Sequence, residues 1–277
     1  MQDIIARYFT EGWQVIILLC VLCLSLATGA LSSLVVSNKM AFFSDAIAHS
    51  TLAGVALGLL LNLDPVASMI ASGLIVALLI AAMRQRSGLA LDTLLGVALA
   101  GSLALGVILY HQKKGFADLH SYLFGRITFL DAADLVALAC AAALSLLVVT
   151  MYSNQFALLS VSRSLAQSRG VKPKRYDFIL IVLLGLVVSV CVRAVGLLLV
   201  NALMVVPAAT SRNLARSYQG MFWGALAVSV VAGITGLVLG DYFALPPAPG
   251  IVVVAVGMFA VSYVLRGLRK SPGVESH

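Results

Sequence analysis

Apolar residues run in long stretches along this chain, at about 13–36, 41–61, 65–83, 89–110, 131–151, 177–192, 195–210, 220–240 and 248–266, with short polar connections between them. Most of these runs reach the roughly 17–25 residues that a bilayer-spanning helix needs. The pair at 177–192 and 195–210 is short and separated only around VRAVG. That pair reads as a hairpin, a broken helix or a re-entrant element, so the pattern predicts eight or nine spans.

Composition sharpens this picture. Of the 277 residues, 61% are hydrophobic and 10% are charged, whereas soluble domains carry about a quarter charged residues. The fold class expected is therefore all-α, a polytopic helical membrane protein, with residues 1–277 forming one transmembrane domain. The net charge of +7 does not mark a nucleic-acid partner, because the Lys and Arg residues sit in connections between apolar runs. They sort by side. Lys39, Arg84, Arg86, Arg163, Arg169, Lys172, Lys174, Arg175, Arg212, Arg216, Arg266, Arg269 and Lys270 fall on one side, and Arg7, Lys113, Lys114, Arg126 and Arg193 on the other. The richer side is assigned to the cytoplasm. Nine spans would then leave the N-terminus outside, and eight would leave it inside.

No cleavable signal peptide is expected, since Asp3 and Glu11 precede a run long enough to span. Cys20 and Cys23 form a C-x-x-C inside the apolar run VIILLCVLCLSLA, with no second pair to complete a zinc site, and read as packing or lipid-facing residues.

Against this apolar background, AFFSDAIAHSTLAGVALG at 41–58 places Asp45 and His49 four residues apart, on one helix face. Ala46, Ser50, Gly54 and Gly58 recur every four positions beside them. This ridge of small residues lets another helix approach closely, so the polar pair is expected to face protein rather than lipid. An ionisable group within a span is costly and usually functional. Three readings fit the pair on pattern alone. Ser44 and Asp45 cap the helix beside a packing histidine, or the pair relays protons, or carboxylate and imidazole converge on a divalent metal ion. Within GLLLVNALMVVPAATSRNLARS, Asn201 reads as an interhelical hydrogen bonder or a pathway group, and Pro207 is expected to bend or end its helix. The connection at 152–177 holds a short helix around 162–169, capped by Ser162 or Ser164 and stopped by Gly170. That helix reads as a docking element or an ordinary solvated loop. LGDYFALPPAPG at 239–250 is a proline-rigidified outer turn suited to an extracytoplasmic partner. No phosphate-binding loop motif is present, so ATP hydrolysis would belong to another chain and the chain itself is not expected to be an enzyme.

Several stretches together resemble one family: FFSDAIAHSTLAGVALG, LDTLLGVALAGSLALGVIL, DLHSYLFGRI, SRSLAQSRGV and VGLLLVNALMVVPAATSRNLARS. They are similar to the permease subunit of bacterial ATP-binding-cassette importers for zinc, manganese or iron(II), in order over roughly residues 12–267. The resemblance implies a fold similar to the cobalamin and siderophore permeases, a homodimer in the bacterial inner (cytoplasmic) membrane, two cytoplasmic ATPase subunits and an extracytoplasmic metal-binding protein. It implies that Asp45 and His49 lie on the ion pathway. It also implies that Ser162, Arg163, Ser164, Leu165, Ala166, Gln167, Ser168, Arg169 and Gly170, within a cytoplasmic coupling segment at about 160–172, contact the ATPase. No resident cofactor is implied; the divalent ion is cargo. Asn201 stands where a smaller residue is expected, adding a polar group near the path. A proton-coupled carrier using Asp45 and His49 as a relay is the alternative.

Overall fold

A computed structural model describes residues 12–112 and 130–270. All regular elements among these residues are helices: α1 (Gly12–Ser37), α2 (Phe43–Leu60), α3 (Pro65–Arg86), α4 (Leu91–Gln112), α5 (Ala132–Met151), α6 (Ser153–Val161), α7 (Arg163–Ser168), α8 (Pro173–Val195), α9 (Leu197–Leu214), α10 (Tyr218–Tyr242) and α11 (Pro247–Lys270). Among the described residues nine helices, all except α6 and α7, are long and apolar enough to cross a membrane. Helices are the form such a chain must take, because hydrocarbon offers backbone N–H and C=O groups no partner outside the segment. The stretch DLHSYLFGRI, with Lys113, Lys114 and Arg126, lies outside the described residues, as does Arg7.

Local sequence sets the ends. Asp64 caps α3 by accepting from Val66 N at 3.3 Å and Ala67 N at 3.2 Å, with Pro65 at the first helical position. Asp131 and Asp134 form a reciprocal capping box at the start of α5. The backbone N–H of Asp134 holds the Asp131 carboxyl below its usual range. Between α8 and α9 stands Gly196 at φ 83° and ψ 167°, a conformation in which a Cβ would clash. This one residue divides two separate spans. α8 begins at Pro173 rather than near 177, so it has 23 residues and α9 has 18. The pair is thereby two helices, each long and apolar enough to span, joined at a single glycine.

Pro207 does not end α9, which continues to Leu214. Beside it the next amide, Ala208 N, donates to Ser32 Oγ on α1 at 2.8 Å. Other hydroxyls inside the spans bond back to their own helix, as Thr28 does to Leu24 O at 2.8 Å and Ser189 to Gly185 O at 2.7 Å.

Helices α1, α2 and α8 bury most of their residues, whereas α4 and α11 bury few. α1 packs against α5, α9 and α10; α2 packs against α3 and α4; α8 packs against α3. Cys20 is buried and Cys23 half-buried, with no disulfide, so both serve packing. Ion pairs mark the two ends of the bundle. Arg193 meets Asp134 at 3.2 Å, joining the end of α8 to the start of α5. Arg84 and Arg163 meet Asp177 near the opposite end of α8. With nine spans and the positive-side rule, the second end is cytoplasmic and α1 begins outside.

Candidate ion-pathway site

Helix α2 carries the two ionisable residues singled out above. It begins at Phe43, and Phe42 before it makes no side-chain capping hydrogen bond. The capping reading of Ser44 and Asp45 therefore fails. Ser44 is buried, and its Oγ has no hydrogen-bond partner. Asp45 lies in the first turn, where the helix dipole favours a negative charge. Its Oδ1 accepts a hydrogen bond from Nδ2 of Asn201, in the second turn of α9.

The rest of α2 is enclosed. From Phe43 to Ala56 every residue is buried except Asp45 and His49. A lipid-facing helix shows the reverse, with apolar residues outward and polar ones hidden. The enclosure comes from the small-residue ridge. A Cβ on Gly54 would meet the Ser72 side chain and come within 2.6 Å of the Ser68 carbonyl oxygen, and one on Gly58 would collide with the Ser68 side chain. Ser72 Oγ donates to Ser50 O at 3.0 Å across the same seam. The ridge thus presses α2 onto α3 and leaves the neighbouring Asp45–His49 stripe as the open one. The two residues are one turn apart, about 6 Å along the axis.

Helix α9 supplies the facing surface. Its incompletely buried positions include Leu198, Asn201, Ala202, Val205, Ala209 and Arg212, at helical spacing. Asn201 joins that stripe to Asp45. Its Oδ1 is buried and has no hydrogen-bond partner. The group thus comprises a carboxylate, an imidazole and an amide oxygen with unused acceptor capacity. These donors suit a borderline or hard divalent cation. Among the described residues no three His, Cys, Asp or Glu side chains cluster closely enough to hold a metal ion. The donors that α2 and α9 could offer an ion are thus the Asp45 carboxylate, the His49 imidazole and the Asn201 amide oxygen.

The short helix at 162–170 is also as the sequence expects. Ser162 caps α7 by accepting from Leu165 N at 3.4 Å, and Ser164 shares a 2.9 Å hydroxyl contact with it. Gly170 at φ 78° closes the helix, with Gly170 N bonding Gln167 O at 2.9 Å and Val171 N bonding Ala166 O at 3.0 Å. In α7 only Ala166 is buried; Leu165 is 42% exposed and the preceding Val161 76% exposed. Val161 at the end of α6 and Leu165 on α7 are thus exposed apolar side chains on either side of the Ser162 cap.

Two groupings escaped the sequence. The Asp45–Asn201 contact spans 156 positions; the only signal was an asparagine where a smaller residue was expected. The meeting of Arg84, Arg163 and Asp177 left no signal at all.

Over residues 14–266 the chain matches the ABC 3 transport family. The chain belongs to that family. It is 32% identical to the high-affinity zinc uptake system membrane protein ZnuB of Haemophilus influenzae, over 90% of this chain and 96% of that one. It is 31% identical to the manganese import system permease protein ScaB of Streptococcus gordonii, over 90% and 89%. In structure it is similar to PsaBC from Streptococcus pneumoniae, solved in complex with Fab, with a TM-score of 0.80, 29% identity and 95% of each chain covered. As an ABC 3 member with nine apolar helices among its described residues, the chain is a multi-pass permease of the bacterial inner membrane.

Proposed function

We propose that this ABC 3 chain is the membrane-spanning subunit of an ATP-driven importer of divalent transition metal ions: zinc, manganese or iron(II). Two copies form a homodimer around a shared path. Cytoplasmic ATPase subunits dock at Ser162–Gly170, and an extracytoplasmic metal-binding protein delivers the ion. The observation that carries the reading is the inverted exposure of α2, whose only open residues between Phe43 and Ala56 are Asp45 and His49. The zinc and manganese systems to which the ABC 3 relatives belong support the cargo class.

Function then follows from the donors. The delivered ion exchanges some of its waters for the Asp45 carboxylate and the His49 imidazole, with the Asn201 amide oxygen as a weaker third contact. Partial hydration keeps the desolvation cost low. Two-fold symmetry lets a second copy supply a second pair of ligands. One chain's two strong ligands alone hold the ion weakly, so withdrawal of the second copy's pair lets it go inward. ATP binding and hydrolysis on the partner chains switch the path between outward and inward access, transmitted through α7. Carboxylate and imidazole serve all three metals, so selectivity rests largely with the delivery protein.

The proton-relay alternative is separated by its energy source. In proteoliposomes holding the permease, its ATPase and the delivery protein, uptake of zinc or manganese is expected to require ATP and to survive a protonophore. Uptake that proceeds without ATP and collapses with the proton gradient would overturn the proposal.

A further inference from the structure

Asp177, in the first turns of α8, accepts a hydrogen bond from one guanidinium group and forms an ion pair with a second, and the two belong to two other elements. Arg163 Nη2 of α7 lies 2.9 Å from Asp177 Oδ2, and Arg84 Nε near the end of α3 lies 3.6 Å from the same oxygen. The carboxylate is mostly enclosed, with 14% of its side chain exposed, and Arg84 is similar at 18%. Asn38, Met40 and Leu91 line the small space around the three residues, so the ends of α1 and α3 and the starts of α4 and α8 converge there. One carboxylate oxygen shared by two cations holds both against their mutual repulsion.

This position lies between the docking helix and the ion site. α7 is only six residues long, packs on α6 and α8, and buries a single residue, Ala166. Its one ion pair to the transmembrane bundle, among the described residues, is Arg163–Asp177. Beyond Asp177, α3 continues the path. It meets α8 at Gly73 and Gly185, where added Cβ atoms would collide with Ser189 and Ala77, and it meets α2 at Gly54 and Gly58. These glycines bring α3 into close contact with both neighbours. A displacement of α7 therefore reaches Asp45 and His49 through Asp177, Arg84 and the rigid α3.

We propose that Asp177 is the positioning residue that couples motion of α7 to the helices around the ion site, so that ATP hydrolysis and ion passage stay linked. This rests on the reading of Ser162–Gly170 as the ATPase contact. Its signature is loss of coupling rather than loss of assembly. In Asp177→Asn the oxygen that both guanidinium groups share loses its charge, α7 is held only by packing, and the ATPase turns over without moving the bundle.

The test uses the complete transporter in proteoliposomes, with zinc uptake and ATP hydrolysis measured in parallel. Asp177→Asn and Arg163→Ala are each expected to lower zinc ions carried per ATP by about fivefold or more, within the usual range of coupling between sites. The double variant is expected to be no worse than either single one. Arg163→Lys, which keeps the charge, is expected to restore part of the ratio. Arg163 is half exposed, so its variants carry the test if Asp177→Asn fails to assemble. A parallel Leu165→Cys crosslink to the ATPase reports on docking itself. An unchanged ratio with the crosslink formed would overturn the Asp177 proposal alone, as would single effects that multiply in the double variant. Absence of the crosslink would overturn the docking assignment and the coupling role with it.

Discussion

Replacing His49 or Asp45 by alanine is expected to lower metal uptake at least about tenfold, the scale on which losing even a supporting interaction at a metal site registers. The complex should still assemble. Both side chains stand at the open positions of α2 while the packing residues around them stay in place. Asp45→Ala also removes the acceptor for Asn201 Nδ2, leaving both ends of that amide unpaired, so its effect should exceed that of His49→Ala. Asp45→Asn separates charge from shape: it retains an acceptor oxygen but loses the negative charge that attracts the cation. Under the transport proposal it behaves like the alanine variant. Uptake close to wild type in Asp45→Asn would mean that the oxygen positions Asn201 and does not bind the ion.

The second large effect is structural. Gly54→Ala places a Cβ against the Ser72 side chain and 2.6 Å from the Ser68 carbonyl oxygen, which cannot rotate away. The α2–α3 seam must open, at a cost of about 1–3 kcal/mol for such overpacking. Gly257→Ala on α11 is the contrast, since a Cβ there meets nothing within 4 Å. It should be neutral, or stabilising by up to about 1 kcal/mol from helix propensity. Thermal unfolding of the purified variants in detergent checks both. Gly54→Ala should melt lower than wild type and Gly257→Ala should not. Equal melting temperatures would mean that the ridge does not set the approach of the two helices.

Much of this was legible in the sequence because membrane solvent leaves few choices. Long apolar runs must be helices, and the positions of most spans followed directly. The pair at 177–210 resisted because hydropathy does not register a single left-handed glycine; Gly196 divides two full spans with no polar gap to announce it. Pro207 was expected to bend or end its helix, and it does not end it: α9 runs on to Leu214, with the amide of Ala208 bonded to Ser32 on another helix. At the site, four-residue spacing put Asp45 and His49 together, and the small-residue ridge indicated which side of α2 would be closed. The capping reading failed because α2 starts two residues before Asp45. Contacts between distant segments left the faintest trace. Asn201 with Asp45, and Asp177 with Arg84 and Arg163, are pairings that only the packed bundle creates.

The most direct test of the central claim, that the Asp45–His49 stripe lines the route of a metal ion, is protection of a thiol placed on it. Cys20, Cys23, Cys140 and Cys191 are first replaced, and His49→Cys is introduced into the assembled transporter in proteoliposomes. A membrane-impermeant maleimide is expected to label this thiol, and bound zinc to slow the labelling, since Asp45 and Asn201 remain beside it. A thiol that stays unlabelled in every nucleotide state, or one labelled at the same rate with and without zinc, would contradict the account.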